Sequence, residues 1–305
     1  MNISNIRFLK IGAVLTALLF TATTLKAQLD PLAGLYFQNQ YLGNPAMAGV
    51  NKGLDLNMSY RKQWTSMPGA PETQALTGDF GTGKKVGLGF NIHNDEAGLI
   101  KRTRVLGTYA YHLPLNKEGQ RLSMGLSLGF MNERVMDESI SGNPNDLSVR
   151  RFNQRVLYVD GDFGVAYTNS KLTVQAALPN MKSFFQKDDA NGAANLAVFF
   201  SAISYEFSFP NALNGLAVEP KVAWRGINGF DDILDVGANV SVANKAFNVM
   251  GVYHSTESLT LGLGAVVKSF GGIYANYTTA TSALAGYSDG NFELGMRLNL
   301  FQAKK

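Results

Sequence analysis

The chain has 305 residues, of which 46% are hydrophobic and only 16% charged, with 32 glycines, 11% aromatic residues, no cysteine and a formal net charge of +4. Ample aromatic and aliphatic content at low charge excludes a disordered chain. The missing cysteine excludes disulfide scaffolds and thiolate metal sites, and glycines without a three-residue period exclude collagen.

Residues 1–27 read as a secretory signal peptide. Arg7 and Lys10 supply the positive start, Ile11 to Leu25 the apolar stretch, and Leu25-Lys26-Ala27 a cleavage site before Gln28. A membrane-spanning helix would need about 20 apolar residues, more than this stretch offers. Removing Arg7, Lys10 and Lys26 lowers the formal charge from +4 to +1, so nucleic acid is not an expected partner. No later run is long and apolar enough for a spanning helix. That leaves a soluble exported protein or an outer-membrane barrel.

Residues 28–52 lack alternation and carry Tyr36, Phe37, Tyr41 and Pro45. A segment this aromatic is expected to fold into a barrel mouth or along the periplasmic rim rather than to float free. From residue 53 onward the pattern has period two. Leu122, Met124, Leu126, Leu128 and Phe130 alternate with Arg121, Ser123, Gly125, Ser127 and Gly129; Phe292, Leu294, Met296, Leu298 and Leu300 alternate with Glu293, Gly295, Arg297 and Asn299. Such spacing gives a strand one apolar and one polar face. It predicts strands at 54–61, 73–80, 84–93, 103–113, 121–131, 156–168, 171–178, 195–209, 216–225, 232–242, 246–253, 259–267, 271–279 and 291–301. Pro220 lies inside one of them and must forfeit a ladder hydrogen bond. No amphipathic helix is expected after residue 52.

A sandwich would also alternate, but most of these segments have the length that crosses a bilayer when tilted. Long connections at 132–155 and 179–194 also alternate with the short 81–83 and 169–170, the phase of an even-stranded barrel with both termini in the periplasm. In lipid every backbone polar group must be paired, which only a closed sheet achieves. The expected fold is therefore a transmembrane antiparallel up-and-down β-barrel of about 14 strands over residues 53–301. Its turns are short on the periplasmic side and its loops longer outside.

A run of motifs resembles the PorP/SprF family of type IX secretion outer-membrane proteins. It comprises Asn44-Pro45-Ala46-Met47-Ala48-Gly49, Tyr60-Arg61-Lys62-Gln63-Trp64, Gly69-Ala70-Pro71-Glu72-Thr73, Lys85-Val86-Gly87-Leu88-Gly89, Asn94-Asp95 with Gly98, and Tyr109-Ala110-Tyr111-His112. Order and spacing cover about residues 28–131, and Trp224-Arg225 adds a weaker match. The resemblance implies a barrel that is not an enzyme, needs no cofactor and helps to secrete or display a large adhesin-type surface protein. It further implies that the barrel works with other type IX components, including periplasmic ring proteins and a peptidoglycan-binding partner.

Other chemistry reads weakly. Gly78-Asp79-Phe80-Gly81-Thr82-Gly83-Lys84 matches most of a phosphate loop, but Lys85 replaces the magnesium-binding hydroxyl and a strand follows where a helix should; a tight turn is expected. His93, His112 and His254 share no metal-ligand spacing, and His254-Ser255 lacks an orienting third group. Asp160 and Asp162, about 7 Å apart on one strand face, suit a glycosidase pair or, better, carboxylates opposite lumenal cations. The expected lumen set is Asp55, Lys85, Arg121, Asp160, Asp162, Arg225, Glu293 and Arg297, whose mixed signs favour a plugged barrel over an ion-selective pore. Candidate partner contacts are Tyr60, Arg61, Gln63, Trp64, Pro68 and Pro71 at the first outer loop, with Phe184 and Phe185 in a later one, because Trp, Tyr and Arg dominate binding hot spots. At the lipid boundary Trp and Tyr also serve as an aromatic girdle. A passive porin or hydrophobic-substrate channel is the first rival function, and an outer-membrane hydrolase the second.

Overall fold

The computed structural model describes residues 34–64, 69–116, 119–136, 152–153, 157–185, 197–227, 231–267, 270–280 and 289–301. Alternation does what lipid requires. Fifteen strand segments form one closed antiparallel sheet: β1 (Gly53–Gln63), β2 (Glu72–Gly81), β3 (Val86–Ala97), β4 (Ile100–Pro114), β5 (Arg121–Val135), β6 (Tyr158–Thr168), β7 (Leu172–Leu178), β8 (Ala197–Tyr205), β9 (Phe207–Phe209), β10 (Leu216–Ile227), β11 (Ile233–Val242), β12 (Phe247–His254), β13 (Ser258–Val267), β14 (Gly271–Thr278) and β15 (Asn291–Leu300). β8 and β9 are halves of one stave, so the barrel has fourteen. It closes where β1 meets β15, from Leu54 opposite Leu300 to Gln63 opposite Asn291.

The break in that stave has a local cause. β10 pairs β8 from Lys221 onward and β9 up to Val218, so Glu206 interrupts the stave opposite Glu219 and Pro220. Proline has no N–H to give to a ladder, and the interruption falls where that donor is missing.

Apolar side chains face outward. Leu122 and Leu126 lie on the outer surface (36% and 43% exposed), as do Leu88, Tyr109, Leu261 and Phe292. Aromatic pairs collect towards the two ends of this band, with Trp224 against Phe199 and Tyr277 against Phe292 at one and Tyr205 against Phe207 at the other. Such girdles mark both lipid boundaries of a transmembrane barrel. The end that carries both barrel termini has turns of three to six residues; connections 136–157 and 179–196 lie at the other. By the rule for outer-membrane barrels, the short-turn end faces the periplasm.

Stave heights are unequal. β4 and β5 have 15 residues each; at about 3.3 Å per residue and a tilt near 40°, they rise about 38 Å, well above an apolar band of about 25 Å. Residues 94–102, expected as a loop, therefore continue the β3–β4 hairpin to a tip at Gly98-Leu99, with Asp95 opposite Arg102 and Glu96 opposite Lys101. Polar residues on both faces there stand in water, which hides the strand period. β7 is the opposite case, seven residues that stop at Leu178. Above it the short helix α2 (Met181–Phe185) leans on β6 and β8, although no helix was expected.

Candidate functional site: a plugged lumen and its outer rim

Residues 34–50 do not lie outside the barrel. They run through the lumen, from the outer third at Gly34 to the periplasmic end at Val50, where β1 begins. Asn39 starts helix α1 (Gln40–Gly43) by accepting from the Leu42 N–H, and Asn44 caps the following 3-10 turn (Pro45–Met47) by accepting from the Ala46 N–H at 2.9 Å. Asparagine at a cap followed by proline at the first position is a self-sufficient stop-and-start signal. The segment thus keeps its shape inside the lumen.

Lumenal side chains hold this plug along its length. The Tyr36 hydroxyl donates to Asp235 at 2.6 Å, and Lys221 donates to the Tyr36 carbonyl at 2.7 Å. Asn39 donates to Thr77, Tyr41 pairs with Thr108, and Asn44 donates to the Val165 carbonyl. Nearer the periplasm, the Gly49 N–H donates to Asp79 at 2.8 Å, and Arg121 donates to the Val50 carbonyl. His112 contributes Nε2–H to the Ala48 carbonyl while its Nδ1 accepts from Ser123; a carbonyl only accepts, which fixes that tautomer. Two glycines make room for the approach. A Cβ on Gly125 would sit 2.2 Å from the Pro45 carbonyl carbon, and one on Gly164 2.0 Å from Asn44 Oδ1.

Most of the expected lumen residues are in place, and they neutralise each other. Arg225 grips Asp235 through Nε at 2.6 Å and Nη2 at 3.0 Å, and His254 Nδ1 meets the same carboxylate at 2.5 Å. Arg297 pairs with Asp55, Asp160 and Asp162 share Arg104, and Glu293 is buried opposite Arg61. The same two aspartates accept the Asn180 and Lys182 backbone N–H groups, anchoring the start of α2. Lys85 is the exception. It ends the exposed β2–β3 turn, one residue too early for the wall, and Asp79 occupies the lumen instead. That turn is the phosphate-loop lookalike, closed by Thr82 on Val86 with no helix behind it.

The partner-contact set divides. Tyr60 faces outward, whereas Arg61 and Gln63 point into the lumen, 4% and 2% exposed. These two are corrected to lumen residues, since a partner at the outer surface does not reach them. Trp64 starts the first outer loop with its N–H on the Gly290 carbonyl, Pro71 is buried at the loop's end, and Phe184 belongs to α2. Pro68 and the Phe185 side chain lie outside the described residues, as do Asp137, Glu138, Arg150, Arg151 and Arg155. His254 and Ser255 do not act together: His254 is held by Asp235 and Thr260, and Ser255 accepts from the Leu234 N–H. Asp235, Arg104, Asp79 and Lys221 were missed by the sequence reading. Each occupies a polar-face position of its strand, so alternation alone could have found the first three.

The family model described as Type IX secretion system membrane protein PorP/SprF matches residues 25–298. The chain belongs to this family. PorP/SprF proteins are outer-membrane components of type IX secretion, which places the barrel in the bacterial outer membrane and agrees with its apolar belt and aromatic girdles. Among solved structures the chain is similar to the Acinetobacter baumannii outer membrane protein Omp33 (7% identity, 83% of this chain and 100% of that one, TM-score 0.49). It is also similar to the CymD monoaromatic hydrocarbon channel (14% identity, 92% and 100%, TM-score 0.45) and to the KdgM porin (9% identity, 81% and 99%, TM-score 0.40). At these scores the likenesses carry no argument about what passes through or binds to the PorP/SprF barrel. No curated protein matches the chain.

Proposed function

We propose that this PorP/SprF barrel is a docking component that binds a secreted, adhesin-type surface protein at its outer rim and helps to display it, without itself conducting solutes or catalysing a reaction. The observation that supports this most is the plug. Residues 34–50 stand in the lumen on side-chain bonds from β2 to β14, and the charges that a pore would present to ions are spent on the plug and on one another. The rim offers Tyr60 and Trp64 beside the first loop, the tall β3–β5 ribbon, and α2 with Phe184. Aromatic side chains there bury large area at low entropic cost. Periplasmic ring proteins and a peptidoglycan-binding partner of the type IX machinery would meet the short-turn end.

Two experiments test this. Purified full-length barrel in planar bilayers is expected to be silent; a steady large current from the intact protein would establish the porin alternative instead. In cells, the double substitution Tyr60→Ala and Trp64→Ala is expected to cut surface display of the cargo at least tenfold, since hot-spot aromatics cost about 2 kcal/mol or more each, while the barrel still inserts. Unchanged display with both aromatics removed would eliminate that part of the rim.

A further inference from the structure

The plug makes most of its bonds to β2–β7, and towards the periplasmic end it leaves space on the opposite side of the lumen. Between the plug and β10–β15, a cavity of about 450 Å³ opens towards the periplasmic end. A second lobe of about 250 Å³ shares Phe37, Gln38, Gln40, Asn51 and Arg297 with it. The larger volume falls within the range of small-ligand sites, about 300–1,000 Å³, but the lining is unlike an apolar pocket. Asn239, Ser241, Asn248 and Asn299 come from the wall, and Gln38 and Gln40 from the plug.

Charge is already spent inside this vestibule. Lys245 pairs with Glu206, Lys221 with Glu219, and Arg297 with Asp55. What remains unused is neutral or single-atom capacity. The Tyr274 hydroxyl, on a side chain only 7% exposed, has no hydrogen-bond partner among the described residues, and neither do Gln38 Oε1 and Arg297 Nε. Buried polar atoms left unpaired are costly, and the three residues that carry these atoms all line this one cavity.

We propose that this vestibule binds a neutral oligosaccharide that reaches it from the periplasmic end. Sugar hydroxyls both donate and accept, which matches a wall of carboxamides, a serine and a phenol better than it matches any ion. Phe37 and Tyr274 add aromatic surface for the C–H face of a pyranose ring. A peptide fits less well. From β10 round to β1 every stave is paired on both sides, so no strand edge is free to take an added backbone. The proposal does not rest on the docking function, which draws on the outer rim and the plug.

The test is calorimetric titration of the full-length protein in detergent with maltotriose, cellotriose and the N-acetylated chitotriose. Saturable binding at about 1 mM or tighter is expected for at least one, and the series that binds distinguishes plain from N-acetylated glycans. Tyr274→Phe, which removes only an unpartnered hydroxyl, and Asn239→Leu, which replaces a lining carboxamide with an alkyl group, are each expected to weaken binding about tenfold, with the thermal unfolding midpoint of Tyr274→Phe unchanged. The proposal is overturned if the folded wild-type protein binds none of the three, if binding survives both substitutions, or if a Gly-Ser peptide of similar size binds more tightly than the sugars.

Discussion

Gly125→Ala is the most direct probe of the plug. Its new Cβ would lie 2.2 Å from the Pro45 carbonyl carbon, 2.4 Å from Ala46 N and 2.4 Å from Pro45 O, all backbone atoms that cannot rotate away. Restoring ordinary contact, which begins near 3.4 Å, moves the Asn44–Ala46 turn by more than 1 Å. That displacement breaks the Asn44 bonds to Val165 and Gln175 and strains the cap on Ala46 N. At about 0.5–1.5 kcal/mol net for each buried bond, two bonds broken and a third strained cost the seated plug about 1–4 kcal/mol, a factor of about 5 to 1,000 in its occupancy. The barrel ladder is untouched, so the loss falls on seating and not on the fold. Because the chain has no cysteine, Leu35→Cys introduces a single thiol at a plug position that is 1% exposed, and a bulky maleimide reports each unseating. Labelling should accelerate by that factor in Gly125→Ala. It should not change in Gly107→Ala, whose Cβ meets nothing closer than Leu128 O at 4.0 Å on the lipid face. Equal labelling rates in the two alanine variants would refute the steric argument for the plug.

Asp235→Asn keeps the shape of the hub but removes the carboxylate charge that Arg225 grips through two nitrogens and that His254 and Tyr36 share; a loss of about 3–5 kcal/mol is expected, read as a lower urea midpoint for unfolding. Tyr36→Phe removes only one bond to that carboxylate, so its cost should stay within about 1.5–3 kcal/mol, and a cost equal to that of Asp235→Asn would mean that the hub was misassigned. Arg104→Met leaves Asp160 and Asp162 facing each other unneutralised while they cap α2; trypsin cleavage after Lys182 should become at least tenfold faster, and an unchanged rate would show that the carboxylates do not hold the helix.

The staves were legible because lipid imposes a strict rule. Every residue of β5 from Leu122 to Phe130 faces lipid or lumen by turns, and both the strand count and the strand centres follow from that alone. Legibility fails where the rule lapses. Above the lipid boundary, Asn94–Glu96 and Lys101–Arg104 are polar on both faces, so strand looked like loop. At the opposite boundary, extending the alternation by one residue carried Lys85 from a turn into the lumen. For Arg61 and Gln63 the signal was present, since alternation already set them opposite Tyr60, but grouping the five residues as one motif obscured it. The caps at Asn39 and Asn44 are readable in sequence, yet their partners Thr77 and Val165 lie 38 and 121 residues away, and no local pattern encodes that meeting. Gly125 and Gly164 read as ordinary small residues of a polar face; only the approach of Pro45 and Asn44 explains them.

Removing the plug separates two demands on the same side chains. A selective pore needs unpaired charge of one sign facing water; a filled lumen needs its charges consumed. Deleting residues 34–50 would free Lys221 and Arg121 from plug carbonyls, and equally Asp79 and Asp235 from the Gly49 amide and the Tyr36 hydroxyl. The pairs Arg225–Asp235, Arg297–Asp55 and Arg104 with Asp160 and Asp162 would persist, because they join wall to wall. The opened barrel should therefore conduct with weak preference, a cation-to-anion permeability ratio within about threefold of one, measured as the reversal potential across a salt gradient. A strongly selective current would mean that the wall holds a ring of like charge once the plug is gone. In that case the mixed pairs were not what kept the lumen neutral, and the distinction between a docking barrel and a gated pore would have to be drawn from the plug alone.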